Sequence, residues 1–136
     1  MLDQLALADF LERGELDRHL RRMRPNYRAR RDALVAAMER ELPDWRPAGV
    51  AAGLSFVALM PEQLDERALL KRAEAVGMRL HGLSWYAATP SPPGLVLGFG
   101  NVAEPAIRRG VGRLAKLARG LEAAASQRDV AEPAAR

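Results

Sequence analysis

Apolar residues recur at helical spacing along the first third of the chain. The positions are three, four or seven residues apart and are Leu16, Leu20, Met23, Tyr27, Leu34, Met38 and Leu42. This spacing places them on one stripe of an α-helix. The pattern predicts a short helix over residues 2–13, ending near Gly14, and a long helix over about residues 17–42. Pro25 lies inside the long helix. Because proline removes a backbone donor, we expect a kink there or two helices that meet.

The spacing changes to that of a strand after Pro43. Within residues 50–60, apolar residues occupy every second position from Leu54 to Met60, which predicts a strand that ends at Pro61. Asp65 is suited to cap a following helix, and Gly77 is suited to end it. Three further segments complete this middle part: a short strand over residues 78–81, a loop over 89–94 and a buried strand over 95–99.

A last helix is expected to begin near Glu104 and Pro105. Its apolar residues repeat at four, three, four and three, and are Ile107, Val111, Leu114, Ala118 and Leu121. Beyond residue 124 no period remains, so we expect one domain over residues 1–124 and a disordered tail over 125–136. The order ααβαββα predicts an α+β fold, in which a small mixed or antiparallel sheet is covered by helices and preceded by the long helix.

Composition narrows the class of protein but does not identify it. Hydrophobic residues make up 49% of the 136 residues, which excludes a disordered composition. There is no run of about 18 apolar residues, so no membrane contact is expected. The sequence has no cysteine, and we therefore expect a cytoplasmic protein without disulfides. The net charge of +4 bears on solubility and on non-specific attraction to polyanions.

Four blocks of residues occur in an order typical of one protein family. They are the arginine-rich residues 17–34, residues 49–54 (GVAAGL) with the following strand, residues 77–86 (GMRLHGLSWY), and residues 94–100 (GLVLGFG) with the start of the last helix. Together they resemble the C-terminal small domain of class I/II aminotransferases of fold type I. Within that group they are most like the aminotransferase-like domain of MocR-type regulators in the GntR family. The resemblance covers roughly residues 2–120.

The resemblance implies a piece of a larger protein that uses pyridoxal 5'-phosphate. In the family a large domain supplies the Schiff-base lysine and most cofactor contacts, and a winged-helix domain supplies any contact with DNA; neither is expected in this chain. Lys71 and Lys116 follow ordinary amphipathic helix patterns, so we assign no catalytic or cofactor-binding residue and expect no transamination by the chain alone. The family forms homodimers. Without its large domain the chain would expose apolar surface and should aggregate or dimerise.

One family position is occupied by an unexpected residue. In the family an arginine that binds the substrate carboxylate precedes a Leu-Gly-Phe sequence, and here that position is Val96. Three explanations are open. The ligand of the parent protein lacks an α-carboxylate at this position, another arginine binds the carboxylate, or the amino-acid site is not used. Arg79 is a candidate substitute, with a surface arginine as the alternative. Ser84 and Tyr86 are candidates for lining a pocket together with Trp85, whose aromatic ring could equally pack in the core or at an interface.

Two further features have plain structural alternatives. The arginines between residues 18 and 31 could form a stand-alone basic module that binds nucleic acid or a protein partner, with Arg21, Arg22 and Arg28 as contacts. The alternative is the solvated face of an amphipathic helix. His19 and His81 have no acidic or cysteine partner at metal-ligand spacing, so no metal site is predicted.

Overall fold

The computed structural model describes residues 2–48 and 53–131 of the chain. Residues 49–52, which belong to the second of the four blocks, lie outside the described residues. The elements follow the order α1 (Leu2–Glu12), α2 (Glu15–Glu41), β1 (Arg46–Ala48), β2 (Ser55–Leu59), α3 (Glu66–Ala75), β3 (His81–Gly82), a single 3-10 turn (Leu83–Trp85), β4 (Gly94–Gly98) and α4 (Glu104–Ala131). None of these helices is long and apolar enough to cross a membrane.

The four strands form one antiparallel sheet in the order β1-β2-β4-β3. Strand β4 is interior and pairs with β2 on one side and with the two-residue strand β3 on the other. Ala58 pairs with Leu95, and both are fully buried against the helices. Because side chains alternate between the faces of a strand, Val57 and Val96 lie on the opposite face, where both are half-buried.

Helices α2, α3 and α4 cover the first face of the sheet and complete the core. The largest fully buried side chains are Leu69 of α3, Leu95 of β4 and Leu114 of α4. The stripes predicted for the long helix and the last helix supply much of the rest, including Leu34, Met38 and Val111 of the core cluster. The predicted α+β fold is confirmed, and the sheet is antiparallel.

The local signals that bound α3 act as the sequence indicates. The Asp65 side chain accepts a hydrogen bond from the backbone N–H of Ala68 at 3.1 Å, which caps the first turn of the helix. Gly77 has a φ of +71°, in the left-handed region that favours glycine, and lies just beyond the end of the helix.

Several boundaries differ from the predictions. Pro25 lies inside one continuous helix α2, so the expectation of two separate helices at that residue is wrong. The loss of one backbone donor does not end a helix whose neighbouring turns continue. Strand β1 was not predicted, because three residues with a central Pro47 show no alternation. Only His81 and Gly82 pair with β4, whereas the predicted strand covered residues 78–81.

Helix α4 is longer than expected at its C-terminal end. It continues to Ala131, although a disordered tail was predicted from residue 125, and residues 132–136 lie outside the described residues. The additional helical residues have no apolar period, but alanine, glutamine and arginine among them are strong helix formers. Propensity alone can therefore carry the helix beyond its packed part, where the absence of a period suggested a disordered tail.

Candidate functional site

Val96 lies at the centre of the sheet face that points away from the core. Its register partners are Val57 on β2 and His81 on β3. Directly opposed residues of an antiparallel pair share one face, so the three side chains form a row across the sheet. The row is apolar at residue 96, the position where the resemblance predicts a carboxylate-binding arginine, and its only titratable member is the imidazole at the edge.

Arg79 is brought close to this row by the segment that leads into β3. Its side chain is exposed, and it lines a cavity of about 330 Å³ between β4 and the helices, which Leu34 and Leu114 line together with Val96. The ion pairs formed within residues 2–48 and 53–131 do not include Arg79. Arg79 therefore lies close to residue 96 in space, but the cavity they share lies mainly on the helix side of the sheet.

The aromatic residues after β3 are exposed. Trp85 is 83% exposed and Tyr86 is 62% exposed, so neither packs in the core of this chain. The Trp85 ring lies 6.5 Å from the His81 ring, centroid to centroid, at an angle of 53°. Trp85 therefore extends the row of Val57, Val96 and His81 beyond the edge of the sheet.

Ser84, a predicted candidate for lining a pocket, forms a hydrogen bond within the chain. Its hydroxyl donates a hydrogen bond to Glu66 Oε1 at 2.5 Å, and Glu66 Oε2 accepts one from the backbone N–H of Gly94 at 3.0 Å. Glu66 is 8% exposed and is the one buried charged residue among those described. The Ser84 hydroxyl is therefore directed toward a carboxylate of α3. Sequence reasoning missed Glu66, which as a single residue is an ordinary acidic group in the first turn of a helix.

The described residues do not fit a pyridoxal phosphate site. Lys71 of α3 and Lys116 of α4 are both exposed on helices. Lys71 lines an open groove with Glu74 and Arg79. A lysine that forms a Schiff base is normally activated by desolvation or by a neighbouring cation. Both lysine side chains are exposed, so neither amine is desolvated in a way that would prepare it to bind the cofactor.

The basic block of α2 is mainly a solvent-facing helix surface. Arg21, Arg22 and Arg28 are exposed, and Arg18 pairs with Glu15 at 2.5 Å. The Arg30 guanidinium donates to the Gly100 carbonyl and so ties α2 to the segment between β4 and α4. This is the arrangement expected of an amphipathic helix with a solvated face.

The histidines are not part of a metal-binding cluster. His19 is exposed on α2, and His81 is the edge residue of the row described above. Across residues 2–48 and 53–131, no group of three His, Cys, Asp or Glu side chains is close enough to hold a metal ion.

Comparison with known proteins decides the class of this domain. No protein-family model matches the chain. It is 34% identical over 116 residues to the probable rhizopine catabolism regulatory protein MocR of Rhizobium meliloti, covering 84% of this chain and 24% of that protein. It is also 34% identical over 118 residues to aromatic-amino-acid aminotransferase 1 of Thermococcus litoralis, covering 83% and 28%. The chain is aminotransferase-like.

Solved structures give the same answer for the fold of this aminotransferase-like chain. The multiple substrate aminotransferase of Thermococcus profundus matches with a TM-score of 0.75 and 28% identity, over 83% of this chain and 28% of that one. LysN, the α-aminoadipate aminotransferase of Thermus thermophilus, matches with a TM-score of 0.78 and 26% identity, over 90% and 32%. The LysN crystal contains N-(5'-phosphopyridoxyl)-L-leucine.

The relatives are considerably longer than the chain. This aminotransferase-like chain spans about a quarter of the length of the curated relatives it matches. They include transcriptional regulators as well as an aminotransferase, and none is named for a stand-alone basic module. The predicted resemblance to MocR-type regulators and aminotransferases is confirmed.

Proposed function

We propose that this chain is the C-terminal small domain of a larger pyridoxal-phosphate-dependent protein, either a MocR-type regulator or an aminotransferase. In that protein it forms one wall of a ligand-binding cleft. The observation that carries the proposal is the extent of the structural match. Between 83% and 90% of the chain superposes on aminotransferases, but on only 28% to 32% of their length. The remainder of such a protein supplies the cofactor site that the described residues do not fit.

Helix α1 supports a larger parent protein. Its apolar residues are spread around the helix, and Leu5, Leu7, Phe10 and Leu11 are between 40% and 64% exposed. Apolar side chains on more than one side of a helix are normally buried within a larger structure. Here α1 contacts α2 alone among the elements with substantial contact. A large domain packed on α1 would bury these side chains.

The sheet face around Val96 is proposed as the wall that faces the ligand. An apolar centre at residue 96 favours a ligand that presents an uncharged group there, in contrast to the α-carboxylate bound by an arginine in the related family. Arg79 is exposed two residues before His81, the edge residue of that face, and we propose it as the residue that would bind any anionic group of the ligand. Trp85 and Tyr86 would cover the ligand from the edge of the sheet. In a MocR-type parent, contact with DNA would come from a winged-helix domain, and the parent would be a homodimer.

The proposal predicts no Schiff base on the chain alone. The purified 136-residue chain is mixed with pyridoxal phosphate, reduced with borohydride, and digested for mass spectrometry. We expect only low, non-saturable labelling at both lysines. The Lys71→Arg and Lys116→Arg variants show where any label sits. A stoichiometric adduct at either lysine would mean that the chain holds the cofactor itself, which would overturn the proposal.

The size of the native product tests whether a larger parent exists. An antibody raised against the purified domain is used on extracts of the source cells, and the detected band is sequenced by peptide mass spectrometry. We expect a band much larger than 14.9 kDa. Peptides from a winged-helix domain would identify a regulator, and their replacement by an aminotransferase N-terminal segment would identify an enzyme. A band at 14.9 kDa with no co-purifying large domain would refute the proposal.

A further inference from the structure

Glu66 lies where three segments of the chain converge. Its Oε1 accepts from the Ser84 hydroxyl at 2.5 Å, its Oε2 accepts from the Gly94 N–H at 3.0 Å, and its carboxyl group packs against Gly82. We propose that Glu66 is a positioning residue that fixes the loop over residues 83–93. That loop carries Trp85. The importance of the loop for a ligand rests on the proposed function, whereas its fixation by Glu66 does not.

The two oxygens of the carboxylate hold opposite ends of the same loop. Ser84 lies at its beginning and Gly94 follows its last residue, so one side chain closes the base of the loop. The other backbone hydrogen bonds of this segment outside regular elements are few. Tyr86 N donates to Leu83 O at 3.0 Å within the turn, and Met60 N donates to Pro93 O at 2.9 Å. Antiparallel pairing of Gly82 in β3 with Leu95 in β4 also holds the two ends together, and the carboxylate adds a side-chain link to that pairing.

The surroundings of Glu66 compensate the cost of burying its carboxylate. A buried carboxylate is costly unless its oxygens are hydrogen-bonded, and the ion pairs of the described chain do not involve Glu66. Its compensation comes from the two charge-assisted hydrogen bonds and from its place in the first turn of α3, where the helix dipole favours a negative group. Gly82 leaves the necessary space, because a Cβ there would lie only 2.8 Å from Glu66 Cδ.

Fixing the base of the loop sets the position of the exposed aromatic ring. Trp85 follows Ser84 directly and contacts little besides the His81 ring, 6.5 Å away. With the Ser84 hydroxyl held by Glu66, the backbone of the 3-10 turn has a defined position beside Val96 and His81. Without that bond the Trp85 ring would no longer be held at a fixed position beside the sheet face. Ser84 is therefore assigned as the partner of Glu66 and not as a ligand contact.

The experiment uses the 136-residue chain labelled with 5-fluorotryptophan and with ¹⁵N. The Trp85→Phe variant assigns the two fluorine resonances to Trp85 and Trp45. Glu66→Ala removes the carboxylate and Glu66→Gln keeps its shape, while Glu62→Ala, at an exposed glutamate just before the same helix, is the matched control. The readouts are the Trp85 resonance and the hydrogen exchange rate of the Gly94 amide.

Glu66→Ala is expected to speed exchange of the Gly94 amide by roughly tenfold or more, as for a lost hydrogen bond to a charged group. It should also shift and narrow the Trp85 resonance while that of Trp45 stays in place. Glu66→Gln should restore most of both signals, because the amide can accept from Gly94 and donate to the hydroxyl oxygen. Glu62→Ala should change neither.

An unchanged Trp85 resonance and Gly94 exchange rate in Glu66→Ala would overturn the proposal. If that variant fails to fold, Ser84→Ala decides, because it deletes only one hydroxyl. It must then alter the Trp85 resonance without altering exchange at buried amides such as that of Leu69. An unaltered resonance in Ser84→Ala would equally overturn the assignment. None of these measurements needs a cofactor or a larger parent, so their failure is distinct from failure of the proposed function.

Discussion

Replacing Gly82 with alanine is expected to destabilise the chain through contact alone. Gly82 has φ −70° and ψ 146°, an extended conformation that alanine adopts without strain. An added Cβ would overlap Glu66 Oε1 and would lie 2.8 Å from its Cδ and 3.0 Å from Leu70 Cδ1. The Glu66 side chain would have to move, and moving it would break hydrogen bonds to Ser84 and Gly94.

The size of the effect can be worked from these contacts. Overpacking in a filled site costs about 1–3 kcal/mol, and each hydrogen bond to a charged group contributes about 1.5–3 kcal/mol. If the overlap is relieved by breaking one of the two bonds in full, the loss of that bond lowers the free energy of unfolding by roughly 1.5–3 kcal/mol. With a urea m-value in the middle of the usual ~1–3 kcal/mol/M range, the midpoint should fall by roughly 1 M.

The assay is equilibrium urea unfolding followed by circular dichroism, with a second glycine as the matched control. A Cβ at Gly112 of α4 meets nothing within 4 Å. Gly112→Ala should therefore stabilise the chain by roughly 0.5–1 kcal/mol, as expected for a glycine replaced within a helix. The double variant Gly82→Ala, Glu66→Ala should be less destabilised than the sum of its single variants, because removal of the carboxylate makes room for the new methyl group.

Two results would refute the reasoning. The first is a Gly82→Ala midpoint equal to that of the unsubstituted chain, which would mean that Glu66 does not occupy the space beside Gly82. The second is strict additivity in the double variant, which would mean that the cost arises elsewhere.

Three further substitutions test the cap, the core and the candidate site. Asp65→Ala should lower the free energy of unfolding by about 1 kcal/mol through loss of the cap on α3, whereas Glu62→Ala, exposed just before that helix, should change it little by the same urea assay. Leu69→Ala should cost about 2–5 kcal/mol because the side chain is fully buried, and a smaller loss would mean that the core can collapse around the site. Val96→Arg should leave a folded chain by circular dichroism, because residue 96 lies on the face away from the helices, whereas Leu95→Arg should not fold. Similar behaviour of the last two variants would contradict the assignment of the two sheet faces.

Much of the fold follows from local signals that one segment carries by itself. The side-chain oxygen of Asp65 and the left-handed Gly77 bound α3, and both were legible in the sequence because capping involves only nearby residues. The apolar stripe of α4 and the second half of that of α2, from Leu34 onward, were equally legible, since a helix repeats its buried face every three or four residues. In the first half of α2 the predicted stripe is not buried in the core, and Leu20 is 38% exposed. Strand β1 carries no such signal and becomes a strand only by pairing with β2.

The candidate site was only partly readable for the same reason. Val96 stood out because its neighbours match a family pattern, and the structure adds that it shares one sheet face with His81 and one cavity with Arg79. The exposure of Trp85 could not be predicted from its residue type, because a single tryptophan can lie in a core as well as on a surface. Ser84 was assigned to a pocket because its partner was unknown.

The sequence by itself determined the helices, the order of the main strands along the chain, the family resemblance and the unexpected valine at residue 96. These depend on spacing and on residues within a few positions of one another. Only the tertiary structure decided the role of Glu66, whose partners Ser84 and Gly94 lie 18 and 28 residues away along the chain. Burial of a carboxylate is a property of the assembled fold, because it is stable only where distant donors are brought to both of its oxygens.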